Sequence, residues 1–224
     1  MSWKPHIAYP ESKLKCSIGI LNRIKDNVPQ SLHKSLYHTL FESHLSYGIT
    51  VWGGSSVNSL NNLFLLQKKC IRILFGNKDV YNQKFKTCAR SRSFPNQKLG
   101  AEFYIKEHSK PLFRDNSILT IHNLYCYHTL IVLFKTLKLR TPYSLYSCFN
   151  LSNRKSTLII TSQFSNNFVH NSSTLWNKIR VVLDITDFSH SISTVKSKIK
   201  ANLHKTQNLG DEIEWSPENS FKLK

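Results

Sequence analysis

The residues with chemistry to offer in this chain are cations. Lys68, Lys69 and Arg72 fall in the stretch QKKCIRILFG, and Lys84, Lys86, Arg90 and Arg92 follow soon after. Ammonium and guanidinium groups at this spacing suit contact with successive phosphates, and Phe75, Tyr81, Phe85 and Phe94 among them suit stacking on bases. Contacts of this kind position a nucleic acid without reading its sequence, and no motif for base readout accompanies them. The whole chain points the same way. Lys plus Arg number 31 against 13 Asp plus Glu, a net charge of +18, which opposes compaction unless a polyanion neutralises it. RNA or DNA backbone is therefore the predicted partner.

Catalysis has less to stand on. Between Glu42 and Asp184 the only carboxylates are Asp79, Glu102, Glu107 and Asp115, and none is paired at a spacing that would hold magnesium for phosphoryl transfer. No phosphate-binding glycine loop, nucleophile elbow or H-E-x-x-H occurs. His122, Cys126 and His128 share one predicted helix but do not supply four ligands on one face. His33, His38 and His44 are spread around another. The prediction is no catalytic residue, no metal, no cofactor and no small-molecule ligand.

The five cysteines are scattered and odd in number, with no C-x-x-C pair, which predicts reduced thiols in an intracellular chain, nuclear or cytoplasmic and not secreted. The polar start MSWKPHIAYPESK is not a signal peptide. The most apolar run, LIVLFKTLKL, is interrupted by Lys135 and Lys138 and is too short for a membrane span.

Helical periodicity supplies the elements that must carry the cations. Leu14, Ile18, Leu21 and Ile24 predict a helix over residues 11 to 26. After Pro29, a second helix has two apolar rows, one of Leu32, Leu36 and Leu40 and one of Tyr37, Phe41 and Leu45, and packs back on the first. In YGITVWGG, glycines and β-branched residues leave a short strand and a distorted helix end in competition. The third helix, capped by Asn58 or Ser59, buries Leu63, Leu66, Cys70, Ile71 and Leu74 and turns Gln67, Lys68, Lys69 and Arg72 to its other side, until Gly76 stops it. A basic loop to Pro95, a helix over 96 to 109 and a longer one over 118 to 139 follow. Residues 143 to 172 are irregular apart from a possible strand over 157 to 161. Ser173 is placed to cap a short helix, and Ile192, Val195 and Ile199 with Lys196, Lys198 and Lys200 make a last basic amphipathic one.

Several segments taken together resemble the region that follows the polymerase core in reverse transcriptases of Jockey-like non-LTR retrotransposons. Those segments are SWKPHIAYPESKLKCSIGILNRIKDNVP, LYHTLFESHLSYGITVWGG, LLQKKCIRILFG and STLWNKI with SISTVKSKIKANL. Trp3, His6 and Ile7 match the family's opening motif, and Tyr47, Gly48, Trp52 and Gly53 its Y-G…W-G signature. Gln67 and Arg72 match its Q…R helix, and Trp176 and Asn177 its late W-N pair. The resemblance, over about residues 2 to 204, fits the mainly α fold that periodicity predicts: a thumb-like helical bundle with its basic helix and loop over 1–92 and a loosely structured helical region with little β over 93–204. Beyond it, the crowded acids Asp211, Glu212, Glu214 and Glu218 predict a flexible acidic tail over 205–224. The resemblance also implies contact with a template-primer and with a reverse transcriptase core. The family's catalytic Y-x-D-D has no counterpart in these 224 residues, so the expectation is a fragment without polymerase activity. The alternative is an inactive relic or a protein-interaction module, with Trp3, Ile7 or Trp52 exposed where a thumb normally meets a palm.

Overall fold

A computed structural model describes residues 4–55, 57–76, 109–154, 157–162, 168–185 and 188–209. Trp3, Lys86, Arg90 and Arg92, with most of the basic loop, most of the helix expected over 96 to 109 and the acidic residues after 210, lie outside them.

The fold is mainly α. Helix α1, Lys4–Ile24, starts earlier than its periodicity predicts and runs through Pro10. A proline inside a helix removes one backbone bond. Here the buried row of Ile7, Leu14, Ile18 and Leu21 extends across it, and burial of Ile7 offsets the loss. Pro29 is the N-cap of the next helix, with extended ψ. That helix is continuous through α2, Gln30–Leu36, a π-helical segment, Tyr37–Glu42, and α3, Ser43–Ser46. Residues four apart drift by about 40° per step around an ordinary α-helix. The wider π turn reverses part of that drift, so His33, Tyr37, Phe41 and Leu45 all stay buried. Of the two predicted rows only this one is core, because Leu32 is 49% exposed and Leu36 and Leu40 lie at its margin.

The YGITVWGG competition resolves to helix. Gly48 takes a left-handed φ of 66°, which a side chain would strain, and α4, Ile49–Trp52, follows it. Helix α5, Val57–Phe75, carries the cations. Helix α6, Ser109–Asp115, leads through residues 116 to 120 into α7, Ile121–Leu139, which is capped by the Thr120 side chain. Helix α7 is buried on nearly every side and packs against α3, α4, α5, the hairpin-flanking helices and the last helix. A short α8, Tyr143–Tyr146, precedes strands β1, Phe149–Arg154, and β2, Thr157–Ser162, paired antiparallel with Phe149 opposite Ser162.

Helix α9, Phe168–Leu183, begins before Ser173. That residue is not a cap but a buried interior position whose hydroxyl donates to the Val169 carbonyl at 2.7 Å. Helix α10, Ile192–Leu209, is capped by Ser191, whose hydroxyl accepts from the Thr194 N–H, and it runs past residue 204, where the tail was expected to begin. One hydrophobic cluster extends from Ile7 to Leu203, so α1 and α10 share a core. Among the described residues no helix is long and apolar enough to cross a membrane.

Candidate nucleic-acid interface

The cationic face of α5 is held from behind by polar ties as well as apolar packing. Leu60, Leu63, Cys70, Ile71 and Leu74 are buried, and so is Gln67, which the sequence reading placed on the polar side. Its position four residues after Leu63 and four before Ile71 puts it inside the apolar row. The Gln67 amide donates to the Tyr37 hydroxyl and to the Leu119 carbonyl, each at 2.9 Å, and its oxygen accepts from the Ile121 N–H at 2.9 Å. One side chain thereby joins α5 to the π turn and to the start of α7. At the far end of α5, the His33 ring sets Nδ1 2.9 Å from the Leu74 carbonyl oxygen and Nε2 3.0 Å from that of Lys25. It links the ends of α1 and α5 to α2, with Phe75 edge-on to its ring.

On the outward side the three cations differ. Lys69 is exposed, whereas Lys68 and Arg72 are half-buried in one i, i+4 row. The Lys68 ammonium lies 4.0 Å above the Phe64 ring, itself packed near Phe113 and His122, so the charge sits on an aromatic shelf. Asn62 and Leu65 continue the exposed strip ahead of Lys69.

The Trp52 motif serves another neighbour. Trp52 and Ile7 are buried, at 4% and 5% exposure, which removes both from the exposed face expected of an orphaned thumb. The Trp52 indole donates to the Tyr47 carbonyl at 3.0 Å, and α4 packs against α7. Tyr47 points outward at 75% exposure. Gly53 and Gly54 lie against Tyr125, whose hydroxyl accepts from Asn171. A Cβ on Gly53 would stand 2.6 Å from the Tyr125 ring. Gly53→Ala is therefore expected to cost about 1–3 kcal/mol through overpacking, visible as a lower denaturant midpoint with an unchanged slope.

The other motif residues divide between surface and core. His6 is exposed on α1. Trp176 is buried on α9 between Phe188, stacked at 5.7 Å, and Phe134, at 6.0 Å, and Asn177 beside it is half-buried.

A second glutamine missed in the sequence repeats the role of Gln67 on the other side of the α7 start. Gln207 is buried, accepts from the Asn123 amide at 2.9 Å and from the Thr120 N–H, and donates to the Ile118 carbonyl at 3.0 Å. Its sequence signal is its place four residues after Leu203 in the buried row Val195, Ile199, Leu203.

Among the described residues no group of three His, Cys, Asp or Glu is placed to hold a metal. Burial pushes the Cys126 thiol up to about 12 and raises that of Cys70 as well, so neither carries a thiolate at neutral pH. His128 and His204 are held below the ordinary histidine value. Burial is the main cause in both. The Lys196 charge adds to it for His128, where Glu42 opposes, and those of Lys200 and Lys34 add to it for His204. Because the unfolded chain binds these protons more readily, stability is full above the unfolded value of 6.5 and falls as pH drops through it. Melting temperature is expected to be lower at about pH 5.5 than at about pH 7.5, with a smaller difference in the double variant H128Q/H204Q.

Searches against protein-family models, curated proteins and solved structures find no match to the chain.

Proposed function

We propose that this chain is a nucleic-acid-gripping helical piece of a Jockey-like non-LTR retrotransposon reverse transcriptase, without the catalytic aspartates, and that it contacts template-primer backbone rather than base edges. The observation that carries this reading is α5. Lys68, Lys69 and Arg72 share its outward side while Gln67 and His33 fix its back against three other helices. A cation held on a rigid helix loses little freedom on binding phosphate, so its Coulomb attraction is not spent on ordering the protein. The family motifs support the assignment through the residues that match them, and the charge of +18 supports a polyanionic partner.

The test is fluorescence anisotropy of a labelled RNA/DNA hybrid across a potassium chloride series. Affinity is expected to fall linearly on log-log axes, and the variant K68Q/K69Q/R72Q to reduce that slope by about 2 to 3. Affinity independent of salt overturns the reading.

A second reading, a protein-facing module, is favoured by Tyr47 and Val51, exposed at 75% and 58% on either side of the buried Ile49. A family polymerase core that binds the chain, and loses affinity on Tyr47→Ala/Val51→Ser, would support it.

A further inference from the structure

The final helix carries a second strip of cations that the α5 grip does not use. Val195, Ile199, Leu203 and Gln207 bury one side of α10 against α7. Beside that buried row Lys196 and Lys200 are exposed four residues apart, and His204, half-buried, extends them by one more turn, whereas Lys205, also exposed, stands half a turn around the helix from Lys196. Lysines four apart on a helix stand about 6 Å apart along its axis.

The remaining cations of this region are committed elsewhere. Lys198 donates to the Leu183 carbonyl at 3.3 Å and closes the end of α9. Lys138 donates to the Ser189 and His190 carbonyls and fixes the approach to α10. Lys34 on α2 is exposed, and its charge reaches His204 together with that of Lys200, which brings a second element to the same surface.

Carboxylates are sparse here. No Asp or Glu occurs from residue 116 to 183 or from 188 to 210, which leaves α7, α8, α9 and α10 without one. Glu42 acts on His128, which the Lys196 charge also reaches, and its carboxylate already faces the His38 ring at 2.8 Å.

We propose that the exposed row of Lys196 and Lys200 on α10, with Lys34 beside it, is a second phosphate-contact surface for the backbone of a nucleic acid. The proposal rests on the α5 reading only for the class of partner; its residues and elements are separate. An anionic membrane is the poorer fit, because a helix that lies on lipid needs apolar side chains to insert. The exposed residues of α10 from 193 to 205 are Ser, Thr, Lys and Ala only. A nucleic acid asks for none, since backbone contact is supplied by cations and small hydroxyls.

The full chain carrying K196Q/K200Q, the full chain carrying K68Q/K69Q/R72Q, and the same charge change on α1, K13Q/K15Q, are compared on the RNA/DNA hybrid across the salt series. Each must melt within about 2 °C of the parent, as surface substitutions of this kind do. K196Q/K200Q is expected to lower low-salt affinity about tenfold and to reduce the log-log slope by about 2, against less than about 1 for K13Q/K15Q. A slope unchanged by K196Q/K200Q but reduced by the α5 variant overturns the α10 surface and leaves the α5 grip standing. A slope unchanged by the α5 variant but reduced by K196Q/K200Q does the reverse. Loss of binding to phosphatidylserine vesicles without loss of hybrid binding overturns the nucleic-acid assignment in favour of a membrane.

Discussion

Gln67→Leu is expected to lower the melting temperature by about 10 °C while leaving the salt dependence of nucleic-acid binding, measured well below the transition, unchanged. Leucine fills a similar volume but leaves the Tyr37 hydroxyl, the Leu119 carbonyl and the Ile121 N–H without the partner each now has. A buried polar group deprived of its partner costs about 1–3 kcal/mol, and for a chain of this size each kcal/mol moves the midpoint by about 2–4 °C. Gln67→Glu separates the hydrogen-bond account from a packing account. Glutamate still accepts from Ile121 but loses both donors and buries a charge, so at neutral pH it is expected to be worse than leucine. Burial raises the folded pKa of such a carboxyl above its unfolded value, so the deficit shrinks as pH falls and the acid regains a donor. A Gln67→Leu protein that melts within about 2 °C of the parent would show that the tie contributes nothing.

Trp176→Ala is the second large effect, at about 3–5 kcal/mol, because the indole is 1% exposed and fills the space between Phe134 and Phe188. Phe188 lies in the connection between α9 and α10, so the cavity opens where the last helix joins the core. Trp176→Phe is expected to cost less than half as much. The Trp176 Nε1–H is buried with no acceptor among the described residues, so phenylalanine forfeits ring volume but no hydrogen bond. Equal losses in urea unfolding for the alanine and phenylalanine variants would falsify this packing account.

Much of the helical framework is legible from periodicity. The apolar rows of α1, α5 and α10 occur where the sequence spacing puts them, because a helix repeats every 3.6 residues and its buried side must repeat with it. Boundaries were less legible. Pro10 and Ser173 act locally as a breaker and a cap, yet both lie inside helices, since the packing available to Ile7 and Val169 outweighs the local preference.

By itself the sequence determined a mainly helical chain, an excess of cations and the scarcity of acids, because these depend on composition and on repeats within one helix. Only the tertiary structure decided what the polar residues do. Gln67 and Gln207 are 140 positions apart, yet they bond alternate members of one short stretch at the start of α7, Gln67 to Leu119 and Ile121 and Gln207 to Ile118, Thr120 and Asn123. His33 spans two helix ends, and Lys138 and Lys198 are turned from surface charges into ties between helices. The physical reason is that a hydrogen-bonding side chain is equally content with water or with a carbonyl. Which one it meets is settled by the neighbours that folding brings to it, and those neighbours come from remote parts of the chain.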